Sequence, residues 1–173
     1  MVDPADPQDE ENRSGGWYEL AVEFETSDGE TAEVAIAELG QLAGVESAVG
    51  GQVLRLPDGH QVVCGFAVVA ADGGSSWVTL GLPLGALGRI DPRVGAYPFG
   101  DYPGSSWRRP LDDWLASVAL RLFDVIPFSL ALVGYDVSGA MSAAQLTAGL
   151  PSEHHYVGII TVTERPTYHP ATR

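Results

Sequence analysis

Lysine is absent from this chain of 173 residues, whose nine basic residues of the Lys and Arg classes are all Arg. A phosphate-binding loop of the Walker type needs a Lys on the nucleotide phosphates, and a Schiff-base enzyme needs a Lys amine. Protein kinases also need a Lys, which holds the ATP phosphates. These three enzyme classes are therefore excluded. Because Arg codons are GC-rich and Lys codons are AT-rich, the absence also indicates a bacterial source of high GC content.

Cysteine and long apolar runs are scarce as well. Cys64 is the only cysteine, so no disulfide can form within the chain, and nothing indicates an oxidising compartment. It lies in the very apolar stretch 61–70, where burial would keep the thiol protonated and unreactive. No run approaches the ~18 apolar residues of a membrane span, and residues 1–16 lack the apolar core of a secretory signal. The sequence predicts a cytoplasmic protein without a membrane association.

Acidic residues dominate the charge. Asp and Glu number 23, which gives a formal net charge of −14 and an isoelectric point near 4.4. Such a field repels nucleic-acid phosphates and anionic lipids, so neither is expected as a partner. It attracts and steers a basic protein. The alternative is that the charge serves solubility alone.

The length and the apolar content of 45% predict one globular domain. Residues 1–16 combine five acids with two prolines and are predicted to form a disordered acidic N-terminal tail. Residues 17–166 are predicted to be the domain, and residues 167–173 a short C-terminal tail.

The first element is a strand with one acidic side. From Trp17 on, apolar residues alternate with polar ones, which is typical of a half-buried strand. Its predicted solvent-facing side is acidic and consists of Glu19, Glu23 and Glu25. Ser27 and Glu30 then fit a capping box that begins a helix, although a hairpin around residues 28–29 is an alternative for residues 27–44.

The rest of the chain predicts an α+β fold. The clearest helix spans residues 110–126, and Ser142 with Gln145 fits a capping box for a short helix. Together these patterns predict an antiparallel or mixed sheet of about five to six strands, with two main helices and one short helix largely on one face. The further strands are expected at 52–56, 61–70, 77–82, 128–135 and 156–163.

A long connection, residues 83–109, interrupts these elements. It is rich in Pro and Gly, and connections of this length are uncommon unless they are functional or disordered. Its aromatic residues and adjacent arginines are types enriched at binding hot spots. The candidate binding residues are Tyr97, Phe99, Asp101, Tyr102, Trp107, Arg108 and Arg109. Alternatively, the loop closes one end of the core and the arginines pair with nearby acids.

Motifs of catalysis and metal binding are missing from the sequence. There is no Cys-x-x-Cys or His-Glu-x-x-His spacing, no Gly-x-Ser-x-Gly and no dinucleotide-binding fingerprint. No catalytic residue, metal site or cofactor is therefore predicted. The favoured function is a non-catalytic interaction module that neutralises a basic partner, by analogy with immunity proteins and antitoxins. The alternatives are a small-molecule binder or enzyme with a pocket beneath residues 88–109, and an architectural subunit.

Overall fold

A computed structural model describes residues 2–94, 107–154 and 156–172, which form one antiparallel sheet of eight strands with three α-helices. The strands lie side by side in the order β2-β3-β4-β5-β1-β6-β7-β8, so the first strand of the chain is central. Their bounds are β1 Trp17–Phe24, β2 Glu46–Ala48, β3 Gly51–Arg55, β4 Gln61–Ala70, β5 Ser76–Pro83, β6 Leu130–Tyr135, β7 Val157–Val162 and β8 Pro166–His169.

The α+β class is confirmed, but the prediction of five to six strands is wrong. The two additional strands are β2 and β8, which have three and four residues and lie at opposite edges of the sheet. An alternating pattern needs about four to eight residues, so β2 is too short to show one and β8 has only the minimum length. β8 includes residues 167–169 of the predicted C-terminal tail.

The three helices pack on one face of the sheet. They are α1 Gly29–Ala43, α2 Leu84–Ile90 and α3 Arg108–Phe123. Their buried side chains share one core with Leu20 and Leu80 of the central strands. α2 lies inside the predicted loop 83–109, whereas the short helix predicted from Ser142 on is a single 3-10 turn at Gln145–Ala148.

Residues 27–44 form a helix and not a hairpin, but Asp28 caps it instead of Ser27. The Asp28 Oδ1 atom accepts a hydrogen bond from the Thr31 backbone N–H at 2.6 Å. A carboxylate here also favours the positive end of the helix dipole, which a Ser hydroxyl does not. The helix ends at Gly44, whose φ of 69° is the left-handed conformation that glycine adopts without strain.

The N-terminal segment, residues 2–16, lies along the domain and contains a 3-10 helix at Glu10–Arg13. Arg89 of α2 bonds to its acids, with Nη1 at 2.7 Å from Asp9 Oδ2 and Nη2 at 2.7 Å from Glu11 Oε2. These contacts are made by charged side chains, so no apolar pattern in the sequence could predict them.

β4 is shared between two neighbours that pair with different parts of it. β3 pairs with residues 61–64, whereas β5 pairs with residues 65–70 on the opposite edge. The turn that joins β2 to β3 falls where β4 changes partner. The carboxyl-terminal half of β4 therefore extends beyond β3.

The cap of α1 gives a direct test. We expect Asp28→Ala to lower the thermal midpoint by roughly 3 °C, since an N-cap bond is lost. Ser27→Ala, one residue earlier and also exposed, is the control and should leave the midpoint unchanged. Differential scanning calorimetry of the two variants would measure the shift, and equal midpoints would contradict the assignment of the cap.

Candidate functional site

The second face of the sheet, opposite the helices, carries a smaller core. In register across the strands, Glu23 of β1 lies between Trp77 of β5 and Leu130 of β6. The cover segment, residues 137–147, packs over this face and contributes Val137, Met141, Ala143 and Leu146. The cover segment thus gives the central strand β1 a second buried side.

Two glutamates of β1 hold the cover segment in place. The Glu19 Oε1 atom accepts a hydrogen bond from the Ser138 N–H at 2.7 Å, and the Glu23 Oε2 atom accepts one from the Ala143 N–H at 2.7 Å. Charge-assisted bonds of this kind are stronger than neutral ones. Burial raises the pKa of Glu19, and the bonds from Ser138 oppose that rise.

The prediction that Glu19 and Glu23 face solvent is therefore wrong. Each is only 6% exposed, whereas Glu25, beyond the end of β1, is exposed as expected. The alternating pattern correctly separates the two faces of the strand. It does not reveal that a later segment supplies backbone donors to the acidic face, because that segment has no recognisable strand or helix pattern of its own.

A groove opens beside the cover segment, at the end of the sheet where β4 finishes and β5 begins. It has a volume of about 1040 Å³, with Trp77 and Val69 among its lining residues. Val69 is 44% exposed. Within the part of the chain that the structure describes, the charged residues lining the groove are Glu23 and Glu25, both acidic. The groove thus combines apolar surface with negative charge.

The predicted binding residues Trp107 and Arg108 lie at the opposite end of the central strand, on the helix side. Arg108 is buried; its Nε donates to Tyr18 Oη at 2.9 Å and its Nη2 to the Tyr156 carbonyl at 2.6 Å. The Tyr18 hydroxyl donates to Asp112, and the Trp107 ring lies 5.6 Å from the Tyr18 ring. These contacts fasten the beginning of α3 to β1.

Arg109 pairs with Asp113 one turn later, with 2.9 Å between Nε and Oδ1. Both arginines thus bond to groups of their own chain. The remaining candidates of the loop, Tyr97, Phe99, Asp101 and Tyr102, lie outside the described residues. A binding role for the loop, and a pocket beneath residues 88–109, stay predictions.

Burial also raises the pKa of two side chains away from the cover segment, the buried Asp112 and the half-buried Cys64. Burial raises the pKa of Asp112 to about 6, against the hydrogen bond from Tyr18 and the charge of Arg108. Burial also raises the pKa of the Cys64 thiol to about 12, so this cysteine is not an activated nucleophile at neutral pH.

The sequence analysis predicted neither the groove nor the buried polar cluster of Tyr18, Arg108 and Asp112. Asp112 reads in the sequence as one of two acids at the start of a helix. Its spacing of four residues from Arg108 is a signal for an ion pair on one helix face, and the two side chains lie 3.6 Å apart. Nothing in the sequence brings Val69 and Trp77 to the cover segment, because that proximity is set by the sheet order.

Among residues 2–94, 107–154 and 156–172, no three His, Cys, Asp or Glu side chains are grouped so that they could hold a metal ion. None of the helices in that part of the chain is both long and apolar enough to span a bilayer. No protein-family model, curated protein or solved structure matches the chain. Its function must therefore be inferred from its own charges and surfaces.

The anchoring role of Glu23 predicts a local change in hydrogen exchange. We expect Glu23→Ala to accelerate exchange of the Ala143 amide by about tenfold or more, because the acceptor of that amide is lost. Glu23→Gln should largely preserve protection, since its carbonyl oxygen can still accept. Glu25→Ala removes an exposed acid and is the control. Unchanged exchange in Glu23→Ala would contradict the role.

The raised pKa of Asp112 predicts a pH dependence of stability. Because the folded-state pKa lies above that of a free carboxyl group, the contribution of Asp112 is largest at low pH and is lost as the pH rises through about 6. Relative to Asp112→Asn, the wild-type free energy of unfolding should gain about 1 kcal/mol from about pH 7 to about pH 5. Urea unfolding would measure this difference. Asp124→Asn, at an exposed acid, is the control, and parallel pH profiles for wild type and Asp112→Asn would contradict the shift.

Proposed function

We propose that this protein is a non-catalytic interaction module that binds a basic protein partner. The proposal rests on the observation that nearly all described arginines are bonded to other groups of this chain. Of the eight arginines in the described part of the chain, seven bond to a carboxylate, a hydroxyl or a backbone carbonyl of the same chain. They are Arg13, Arg55, Arg89, Arg93, Arg108, Arg109 and Arg121.

The negative charge, in contrast, is left on the surface. In the residues that the structure describes, seven exposed acids make no hydrogen bond or ion pair. An acidic surface of this kind raises the association rate with a basic protein and repels an anionic one. The seven acids are Glu10, Glu25, Glu30, Glu33, Glu46, Asp124 and Glu164.

The buried carboxylates support a binding role over a catalytic one. Glu19 and Glu23 accept backbone hydrogen bonds, and Asp112 accepts one from Tyr18, so each has a structural use. Cys64 lacks the lowered pKa of a reactive thiol. A single unpaired cysteine also fits the reducing cytoplasm, where we propose that the binding takes place.

The proposal predicts salt-sensitive association. The chain, tagged in the organism that encodes it, should co-purify with a stoichiometric basic protein at about 50 mM NaCl and lose it at about 500 mM, because salt screens the attraction. Mass spectrometry would identify the partner, and stopped-flow mixing of the purified proteins would give the association rate.

Charge variants sharpen this test. The triple variant Glu30→Gln, Glu33→Gln, Glu46→Gln should associate more slowly with the purified partner, by about threefold or more at low salt. Arg165→Gln makes the chain more acidic and should not slow association. A partner that is acidic, or one that binds equally well at both salt concentrations, would refute the proposal, as would a chain that purifies alone.

A further inference from the structure

Within the described residues, the outer edge of β4 is open along the edge segment, residues 66–70. β5 pairs with one side of these residues, and β3 pairs only with residues 61–64 on the other. No strand within the described ranges pairs with the outer side of the edge segment. An unpaired strand edge presents a row of backbone N–H and C=O groups, and such a row is a template for another strand.

The side chains of the edge segment offer no protection against pairing. Residues 67–70 are all exposed and read Ala-Val-Val-Ala, with Val68 at 50% and Val69 at 44% exposure. Natural sheets block their edges with charged side chains, with Pro or with a bulge. This stretch has no charged residue and no Pro. The open edge is therefore a surface suited to being covered by an extended chain.

The acids near the edge segment indicate that an extended chain bound there would be basic. Val69 and Ala70 belong both to the edge segment and to the lining of the groove, which contains Glu23 and Glu25. Glu25 is exposed and makes no hydrogen bond or ion pair with another described residue. A second copy of this chain would bring another net charge of −14 against the first. A basic segment is attracted where a second copy is repelled.

We infer that an extended segment of a basic protein partner adds to the sheet as a strand along residues 66–70 of β4 and continues into the groove beside the cover segment. Backbone hydrogen bonds to the edge would supply affinity, and alternate side chains would supply specificity. Apolar side chains of the added strand lie against Val69, and Lys or Arg side chains that follow meet the exposed Glu25. The inference rests on the proposed function and names the surface that performs it.

A peptide probe tests the edge directly. The probe is a capped octapeptide in which one half alternates Val with Thr and the other half alternates Arg with Thr, so that Val and Arg share one face. Its control has the same sequence with alternate backbone nitrogens methylated, which cannot pair with an edge. In NMR titrations at low salt, the probe should shift the amide signals of residues 66–70 and slow their hydrogen exchange. The methylated control should bind at least about tenfold more weakly, since it lacks the backbone donors.

Matched protein variants separate the edge from the rest of the surface. Val69→Lys should weaken probe binding by about tenfold or more, because Lys protects an edge and repels Arg. Val34→Lys is the control, since Val34 on α1 has the same exposed fraction of 44%. Glu25→Gln should weaken binding more than Glu33→Gln, which removes an exposed acid of α1. Val68→Lys replaces Val69→Lys if that variant loses thermal stability.

Three results would overturn the inference: a wild-type chain that does not bind the probe, shifts confined to residues outside 66–70, or equal binding by Val69→Lys and Val34→Lys. A dimer in sedimentation equilibrium that Val69→Lys dissociates would overturn it too, because a second copy would then occupy the edge. The purified partner distinguishes this failure from that of the proposed function. Salt-sensitive binding of the partner that Val69→Lys leaves intact overturns the strand addition alone.

Discussion

The structure depends on a central strand that is buried on both faces. One face of β1 forms part of the main core beneath the helices. On that face, the Tyr18 hydroxyl accepts a hydrogen bond from Arg108 and donates one to Asp112. The other face carries Glu19 and Glu23, whose carboxylates bind backbone N–H groups of the cover segment. A buried polar group is costly unless it is hydrogen-bonded. The polar residues of β1 therefore fix where α3 begins and where the cover segment lies.

How far the sequence predicts this fold depends on where the determining contacts lie. Local signals succeed: the alternation in β1, the end of α1 at Gly44 and the reciprocal Ser142–Gln145 hydrogen bonds are all present in the structure. Features set by distant contacts are not predicted: β2 and β8, with three and four residues, show no clear period and become strands by pairing with a neighbour. The burial of Glu19 and Glu23 is not predicted either, because it also depends on distant residues. The backbone N–H groups that bond to them lie more than a hundred residues away in the sequence, with a separation of 119 for Glu19.

The candidate site shows the same division between local and non-local information. The charge of −14 is a property of the sequence and needs no structure. The structure is needed to tell which acids are free to meet a partner. Five acids form hydrogen bonds within the chain, because one caps α1, two anchor the cover segment and two pair with Arg89. They are Asp9, Glu11, Glu19, Glu23 and Asp28.

The open edge of β4 and the acidic charge explain one another. An apolar edge without charged residues or Pro would pair with the same edge of another copy, since identical strands are complementary in an antiparallel arrangement. Repulsion between two chains of charge −14 opposes that pairing, most strongly at low ionic strength. The same field favours a strand that brings positive charge. The negative charge of the chain disfavours a second copy at the edge and leaves it accessible to the basic partner that we propose. Charged side chains on the edge itself would exclude that partner as well.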